Sequence, residues 1–164
     1  LMSKLKVSSK YNREDVHNIF SPETVFTPQS GTWGLQGFIP IPDRESDYVF
    51  LVTFGQKQAG HEFDESITED GVLTWESQGR QALDNVHIKK WISHDELESN
   101  IYFFLRTEKK NSPPYCYMGR LKYLTHDVER ERPVYFQWQL LDWGEITKEA
   151  KSNITLITRL DDKR

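Results

Sequence analysis

Residues 71–81, GVLTWESQGRQ, bring one indole, Trp75, to the end of an apparent strand and follow it with Ser77, Gln78, Gly79 and Arg80. A ring beside a hydroxyl, a carboxamide, a flexible glycine and a guanidinium is what a base-binding pocket uses. The ring supplies a stacking face worth on the order of 1–3 kcal/mol per base, and its polar neighbours read the base edge. The competing account is a core tryptophan at an ordinary sheet edge, with Ser77 and Gln78 tying the turn. Three further rings stand beside glycine or polar neighbours: Trp33 between Thr32 and Gly34, and Tyr115 and Tyr117 ahead of Met118-Gly119. Phe50, Phe54, Phe103 and Phe136 sit in apolar runs and are expected in the core.

Groups for covalent chemistry are scarce. The sequence contains no GxSxG, P-loop, GxGxxG or HExxH pattern. The acidic stretch HEFDESITED could be imagined as a metal-dependent nuclease centre. Its carboxylates fall mostly in one turn, however, whereas such a centre draws them from separate elements. Cys116 is the only cysteine, which excludes an intrachain disulfide and a multi-cysteine zinc site. Between Tyr115 and Tyr117 it reads as a buried strand cysteine. The five histidines lack metal-ligand spacing. A non-catalytic chain without metal or cofactor is expected.

Charge is uneven along the chain. The net value is −4, but residues 1–79 hold six Lys/Arg against twelve Asp/Glu, and residues 80–164 hold fifteen against thirteen. Acidic overall balance argues against indiscriminate attraction to phosphate. Arg80, Lys89, Lys90, Arg106, Lys109, Lys110, Arg120 and Lys122 nonetheless fall at or beyond strand ends, so a local basic rim and a solvated face of mixed charge both remain open. With 164 residues, 37% hydrophobic and 28% charged, the chain suits a single soluble domain. No apolar run approaches the ~20 residues of a membrane span, and LMSKLKVSSK lacks the apolar region of a secretory leader. A cytoplasmic location is expected.

Positioning those groups falls to a series of short strands. YNREDVHNIF predicts a helix capped by Asn12, with Val16, Ile19 and Phe20 at helical spacing and Ser21-Pro22 ending it. PQSGTWGLQGFIPIP, residues 28–42, reads as an irregular edge strand or aromatic-bearing loop, since Pro40 and Pro42 cannot serve a central ladder. YVFLVTF, residues 48–54, predicts a central strand. FDESI and VLTWES form a predicted hairpin around Asp70-Gly71. HIKKWIS (87–93), NIYFFLR (100–106), YCYMGRLKY (115–123) and PVYFQWQLL (133–141) complete about seven strands. Gly119 leaves room for a bulge. The alternation places Tyr115, Tyr117, Leu121 and Tyr123 on one parity, and Phe136, Trp138 and Leu140 on one face. GEITKEAKSN is a second, weaker helix, and the tail LDDKR is expected to fray. The fold class is mainly β with flanking helices (α+β), a barrel or sandwich rather than a βαβ enzyme.

The ordered set YNRED, YVFLVTFGQKQ, WESQ, IYFFLRTEKK, YCYMGRLKY and PVYFQWQLL resembles a bacterial domain family, DUF3427, over about residues 11–141. YNRE stands where that family has Tyr-Thr-Arg-Glu. The resemblance implies a domain at the C-terminal end of long proteins that carry a nuclease and a helicase, as in modification-dependent (type IV) restriction enzymes. It implies a target-recognition role for 5-methylcytosine or 5-hydroxymethylcytosine in double-stranded DNA, read by base flipping on an SRA-like or PUA-like curved β-barrel. The expected organisation is an N-terminal extension at 1–10, the recognition domain at 11–143 and a C-terminal helix and tail at 144–164. Under this scheme Trp75 and Tyr117 stack on the base, with Trp33 and Tyr115 as further pocket rings. Asp64 or Asp70 accepts from the cytosine amino group, and Ser77 or Gln78 completes the edge. Lys57, Arg80, Lys89, Lys90, Arg106, Lys109, Lys110, Arg120 and Lys122 hold phosphates, and Gln58 or Arg80 fills the vacated stack. The expected partners are DNA containing modified cytosine and the nuclease and helicase domains of the same parent chain. A protein-interaction or regulatory module without base recognition is the alternative.

Overall fold

The computed structural model describes residues 5–55, 57–58, 61–62, 65–76, 85–131, 134–154 and 156–157; the side chains of 57–58, 61–62, 128–131 and 156–157 are outside the description. The elements are β1 (Lys10–Tyr11), α1 (Arg13–Phe20), α2 (Gly31–Leu35), β2 (Phe38–Pro40), β3 (Tyr48–Thr53), β4 (Lys57–Gln58), β5 (His61–Glu62), β6 (Ser66–Thr68) and β7 (Val72–Glu76), followed by α3 (Val86–Ile92), β8 (Ile101–Arg106), β9 (Tyr115–Glu131) and β10 (Val134–Leu140). A 3-10 turn (Trp143–Glu145), α4 (Lys148–Ser152) and β11 (Leu156–Ile157) end the described chain.

Nine strands form one mixed sheet in the order β11-β6-β7-β10-β9-β8-β3-β2, with β1 added to β9, while β4 and β5 make a separate ribbon. The strand path does not close on itself, so the chain is mainly β with helices on an open sheet rather than a closed barrel. β3 runs parallel to β8, and β11 parallel to β6; the other pairings are antiparallel. The sheet curls strongly. Phe50 of β3 meets Trp75 of β7 with ring centroids 5.0 Å apart, and Trp138 of β10 at 5.7 Å, across the concave side. Among the described residues no helix is long and apolar enough to cross a membrane.

The apolar runs of β3 and β8 are buried on both faces, which is why they lack polar alternation. On the concave side Tyr48, Phe50, Phe103, Leu73, Trp75, Phe136 and Trp138 pack around α3. On the convex side Val49, Leu51, Tyr102 and Phe104 pack under Val16, Ile19 and Phe20 of α1. β10 alternates as expected, with Phe136, Trp138 and Leu140 inward. α1 carries a capping box in which Asn12 accepts from the Asp15 backbone and Asp15 accepts from the Asn12 backbone.

Three local expectations change. HIKKWIS is helical rather than extended: Asn85 caps α3, accepting from His87 and Ile88 N–H, and Ile88 and Trp91, three residues apart, share its buried face. Residues 28–42 divide between the short helix α2 and the edge strand β2, whose Pro40 pairs with Tyr48 on the sheet border. In β9 the two ends of YCYMGRLKY do not share a face. Tyr115 and Tyr117 belong to the convex cluster, while Met118, Leu121 and Tyr123 belong to the concave one. Gly119 has φ of +88°, and the register to β8 shifts between Tyr102 and Phe104, so the bulge reverses the alternation. The hairpin at Asp70-Gly71 forms as expected, with Gly71 at φ +82° between β6 and β7. The tail 158–164 lies outside the described residues.

Candidate functional site

Trp75 is the next-to-last residue of β7, with its ring on the concave side. It is 8% exposed and packed against Phe50 and, with centroids 6.1 Å apart, Trp91. Tyr117 is 3% exposed and lies 4.9 Å from Phe104. Burial, with Asp142 nearby, pushes its phenol well above the usual tyrosine range. Rings covered in this way have no free face for a base, so the stacking assigned to Trp75 and Tyr117 is replaced by a core role. The two also lie on opposite sides of the sheet. Tyr115 is buried too. Of the four rings, only Trp33 is partly exposed. It stacks on Phe20 at 6.3 Å with planes 8° apart, and it lines a cavity of about 260 Å3 with Thr24, Ser30 and Thr32. Gly34 is required here, because a Cβ on it would meet the Thr27 carbonyl at 2.3 Å.

Asp70 is exposed at the hairpin tip, where its carbonyl accepts from Gln139 Nε2. Asp64, Ser77, Gln78 and Arg80 lie outside the described residues, and Lys57 and Gln58 are described only as backbone of β4. The expected cations divide. Lys90 donates to the Glu45 carbonyl at 2.8 Å, Arg120 to Asn100 Oδ1 at 3.3 Å, and Lys122 pairs with Glu96 at 3.5 Å. These three are committed to their own surface. Lys89 is exposed on α3 and does not line the groove beside Arg106.

Arg106, Lys109 and Lys110 form a further group, at the end of β8 and in the loop after it. Arg106 Nε donates to Thr53 Oγ1 at 2.8 Å and Nη1 to the Pro113 carbonyl at 3.1 Å, which fixes the guanidinium between the end of β3 and the loop after β8. Its plane stands over Tyr115, 4.3 Å from the centroid, and Arg13 stands 5.7 Å from the same ring. Arg13, not anticipated as a site residue, donates to the carbonyls of Trp33 at 3.1 Å and Gln36 at 2.8 Å and so ties α1 to α2. Among the described residues no carboxylate lies within ion-pair distance of either guanidinium. Burial, followed by repulsion from Arg13, lowers the Arg106 pKa, and Tyr115 opposes that fall. These groups border a groove of about 640 Å3 that also includes Lys109, Ser112 and Leu35. It shares Phe26 and Gly34 with the Trp33 cavity.

Several loops gather at this end of the sheet. Phe54 N donates to the Arg106 carbonyl at 2.9 Å, so the loops after β3 and β8 start side by side. Gly55 N donates to Glu65 Oε1 at 3.2 Å, joining the start of β6 to the same rim. Glu65 is mostly buried, and its carboxyl is pushed up to about 7 by burial; the Gly55 hydrogen bond opposes the rise and Glu76 at the end of β7 adds to it. Glu76 is followed by residues 77–84. Phe54 and Gly55 after β3, Glu65 before β6, Glu76 at the end of β7 and Arg106 at the end of β8 thus meet at one rim. Among the described residues no cluster of three or more His, Cys, Asp or Glu could hold a metal ion. Cys116 is half-buried in β9, and burial pushes its thiol up.

Comparison with protein families matches the chain to the family described as Domain of unknown function (DUF3427), over residues 5–142. The chain belongs to the DUF3427 family. No curated protein matches it. The match spans the DUF3427 elements from the start of the described chain through β10, and so includes Arg13, Trp33, Arg106 and the loop 107–114. The motif YNRE can be read in this DUF3427 chain as a structural device: Asn12 caps α1 and Arg13 latches α2.

Proposed function

We propose that this DUF3427 domain is a DNA target-recognition module that distinguishes 5-methylcytosine or 5-hydroxymethylcytosine from cytosine in double-stranded DNA, within a modification-dependent restriction enzyme. The observation that carries the proposal is the shared rim. Arg13, Arg106 and Lys109 supply positive charge to a groove beside the rim where Gly55, Glu65 and Arg106 meet, and the partly exposed indole of Trp33 adjoins the same groove. Phosphate contacts set the register of a protein on DNA, and base contacts carry the discrimination.

In this scheme the base is flipped, at a cost of a few kcal/mol of stacking and pairing that the protein's contacts regain. Trp33 replaces Trp75 and Tyr117 as the stacking ring, and Asp64, Ser77 and Gln78 keep their proposed places at the base edge. The curled open sheet with helices on both faces is compatible with an SRA-like or PUA-like ancestry. The nuclease and helicase belong to the parent chain.

The test is binding to matched duplexes with cytosine, 5-methylcytosine or 5-hydroxymethylcytosine at one stated salt concentration. A modified duplex should bind more tightly than its unmodified twin, and Trp33→Ala should remove the difference without unfolding the chain. Equal affinity for all three duplexes would exclude base recognition and leave a protein-interaction module as the function.

A further inference from the structure

Tyr115 is 1% exposed, lies on the wall of the cationic groove, and its hydroxyl has no hydrogen-bond partner among the described residues. A buried hydroxyl without a partner is costly, of the order of a lost hydrogen bond, and such groups are uncommon in native proteins. The same ring is flanked by Arg13 and Arg106, two like charges with no carboxylate counter-ion among the described residues. Their hydrogen bonds to neutral carbonyls and to Thr53 hold them in place without neutralising them. These bonds engage Nε and Nη1 of Arg106, whose Nη2 makes none among the described residues, and Arg13 also gives a long hydrogen bond from Nη2 to the Leu35 carbonyl at 3.5 Å, leaving its Nε and one Nη2 proton.

An oriented donor set with surplus positive charge and an unsatisfied hydroxyl fits a tetrahedral oxyanion. Guanidinium N–H groups make strong charge-assisted hydrogen bonds to phosphate oxygens, and the phenol adds a further donor. A carboxylate ligand would use fewer of these donors. Lys109 lies at the groove, exposed, where a point charge draws an anion in. Glu14 also borders the groove but is exposed to solvent, so its repulsion is screened.

We propose that the groove between α1, α2 and the loop after β8 is a phosphate-binding pocket, with Arg13, Arg106 and the Tyr115 hydroxyl as its donors and Lys109 at its mouth. It deepens the DNA-recognition proposal by naming what this part of the rim holds. The phosphate belongs to a DNA backbone or to a free phosphate or nucleotide monoester.

The experiment titrates inorganic phosphate into the isotope-labelled chain and follows backbone amide shifts by NMR. Saturable shifts are expected at millimolar phosphate, clustered at residues 12–14, 34–36 and 106–115. Tyr115→Phe, which keeps the ring, should weaken phosphate at least fivefold, and Lys109→Ala should weaken it about twofold with the fold intact. Arg106→Gln should abolish it. If Arg106→Gln disturbs folding, the Tyr115→Phe comparison still decides. No saturable shift, or unchanged affinity in Tyr115→Phe, overturns the proposal. A second arm adds unmodified duplex: displacement of phosphate from the same amides identifies a DNA phosphodiester as the occupant, whereas undisturbed phosphate identifies a free phosphate or monoester. Since this arm needs no cytosine modification, loss of base discrimination and loss of the phosphate pocket are separately visible.

Discussion

Trp75 shows how much one side chain's surroundings decide its role. Enclosed by Phe50 and Trp91, it contributes to stability through burial, so Trp75→Ala should cost about 3–5 kcal/mol in urea unfolding, the usual range for deleting a core aromatic. A stacking plate on the surface would cost far less. Tyr115→Phe should have the opposite sign: removing a buried hydroxyl that has no partner among the described residues should raise stability by about 1 kcal/mol in phosphate-free buffer. Glu65 carries a pH effect. Its folded-state pKa, about 7, lies above the ordinary carboxyl value of 4.5, so the folded chain holds a proton that the unfolded chain has released. Its contribution is therefore complete below about pH 4.5 and is lost as pH rises to about 7. His87 and His94 work the other way, since burial lowers both pKa values and acidification costs stability. Comparing wild type with Glu65→Gln by denaturant unfolding at pH 5 and pH 8 isolates the glutamate: the variant should lose the fall in stability between those values that Glu65 causes.

Among the elements, β9 depends most on a single backbone position. Gly119 has φ of +88°, and a Cβ there would come within 2.3 Å of Asp142 Oδ2, whose carboxylate accepts from Arg120 N–H at 3.0 Å. Gly119→Ala should therefore combine left-handed strain with a clash and destabilise by more than about 1 kcal/mol, read as a lower urea midpoint at unchanged slope. The bulge also sets which ring faces which layer, so Tyr115 reaches the groove only because the reversal occurs beyond it. α3 illustrates a different competition. HIKKWIS has enough β-branched and aromatic character to read as a strand, but Asn85 satisfies two orphan N–H groups at its start, and Ile88 and Trp91 find a concave core to fill. Alternation over seven residues is weak evidence when a helical pair at i and i+3 is present in the same window.

Over the whole molecule, the cations matter by placement rather than by number. The net charge is −4, yet Arg13, Arg106 and Lys109 converge on one groove from α1, β8 and the following loop. If this groove follows the DNA backbone, the Arg106→Gln, Lys109→Ala double variant should reduce the slope of log affinity against log salt by about 2 and weaken modified and unmodified duplexes alike. Trp33→Ala should instead narrow the gap between them. The two behaviours separate phosphate contact from base reading in one set of titrations.

The strands β3, β7, β8, β9 and β10, the capped helix α1, the hairpin at Asp70-Gly71 and the inward face of β10 were legible in the residues, because each depends on neighbours within a few positions. The family, too, was legible, as an ordered series of short motifs. Arg13 was not, since its partners Trp33, Gln36 and Tyr115 stand 20 or more positions away and only folding brings their carbonyls and ring to it. Nor could letters say whether Trp75 faced solvent or core: an aromatic at a strand end serves either purpose, and the outcome depends on how far the sheet curls. Curvature is a sum over strands, and local sequence does not contain it. Sequence alone therefore determined most of the strands and the first helix, while tertiary structure decided that 86–92 and 31–35 are helical, which rings were sealed and which cations met.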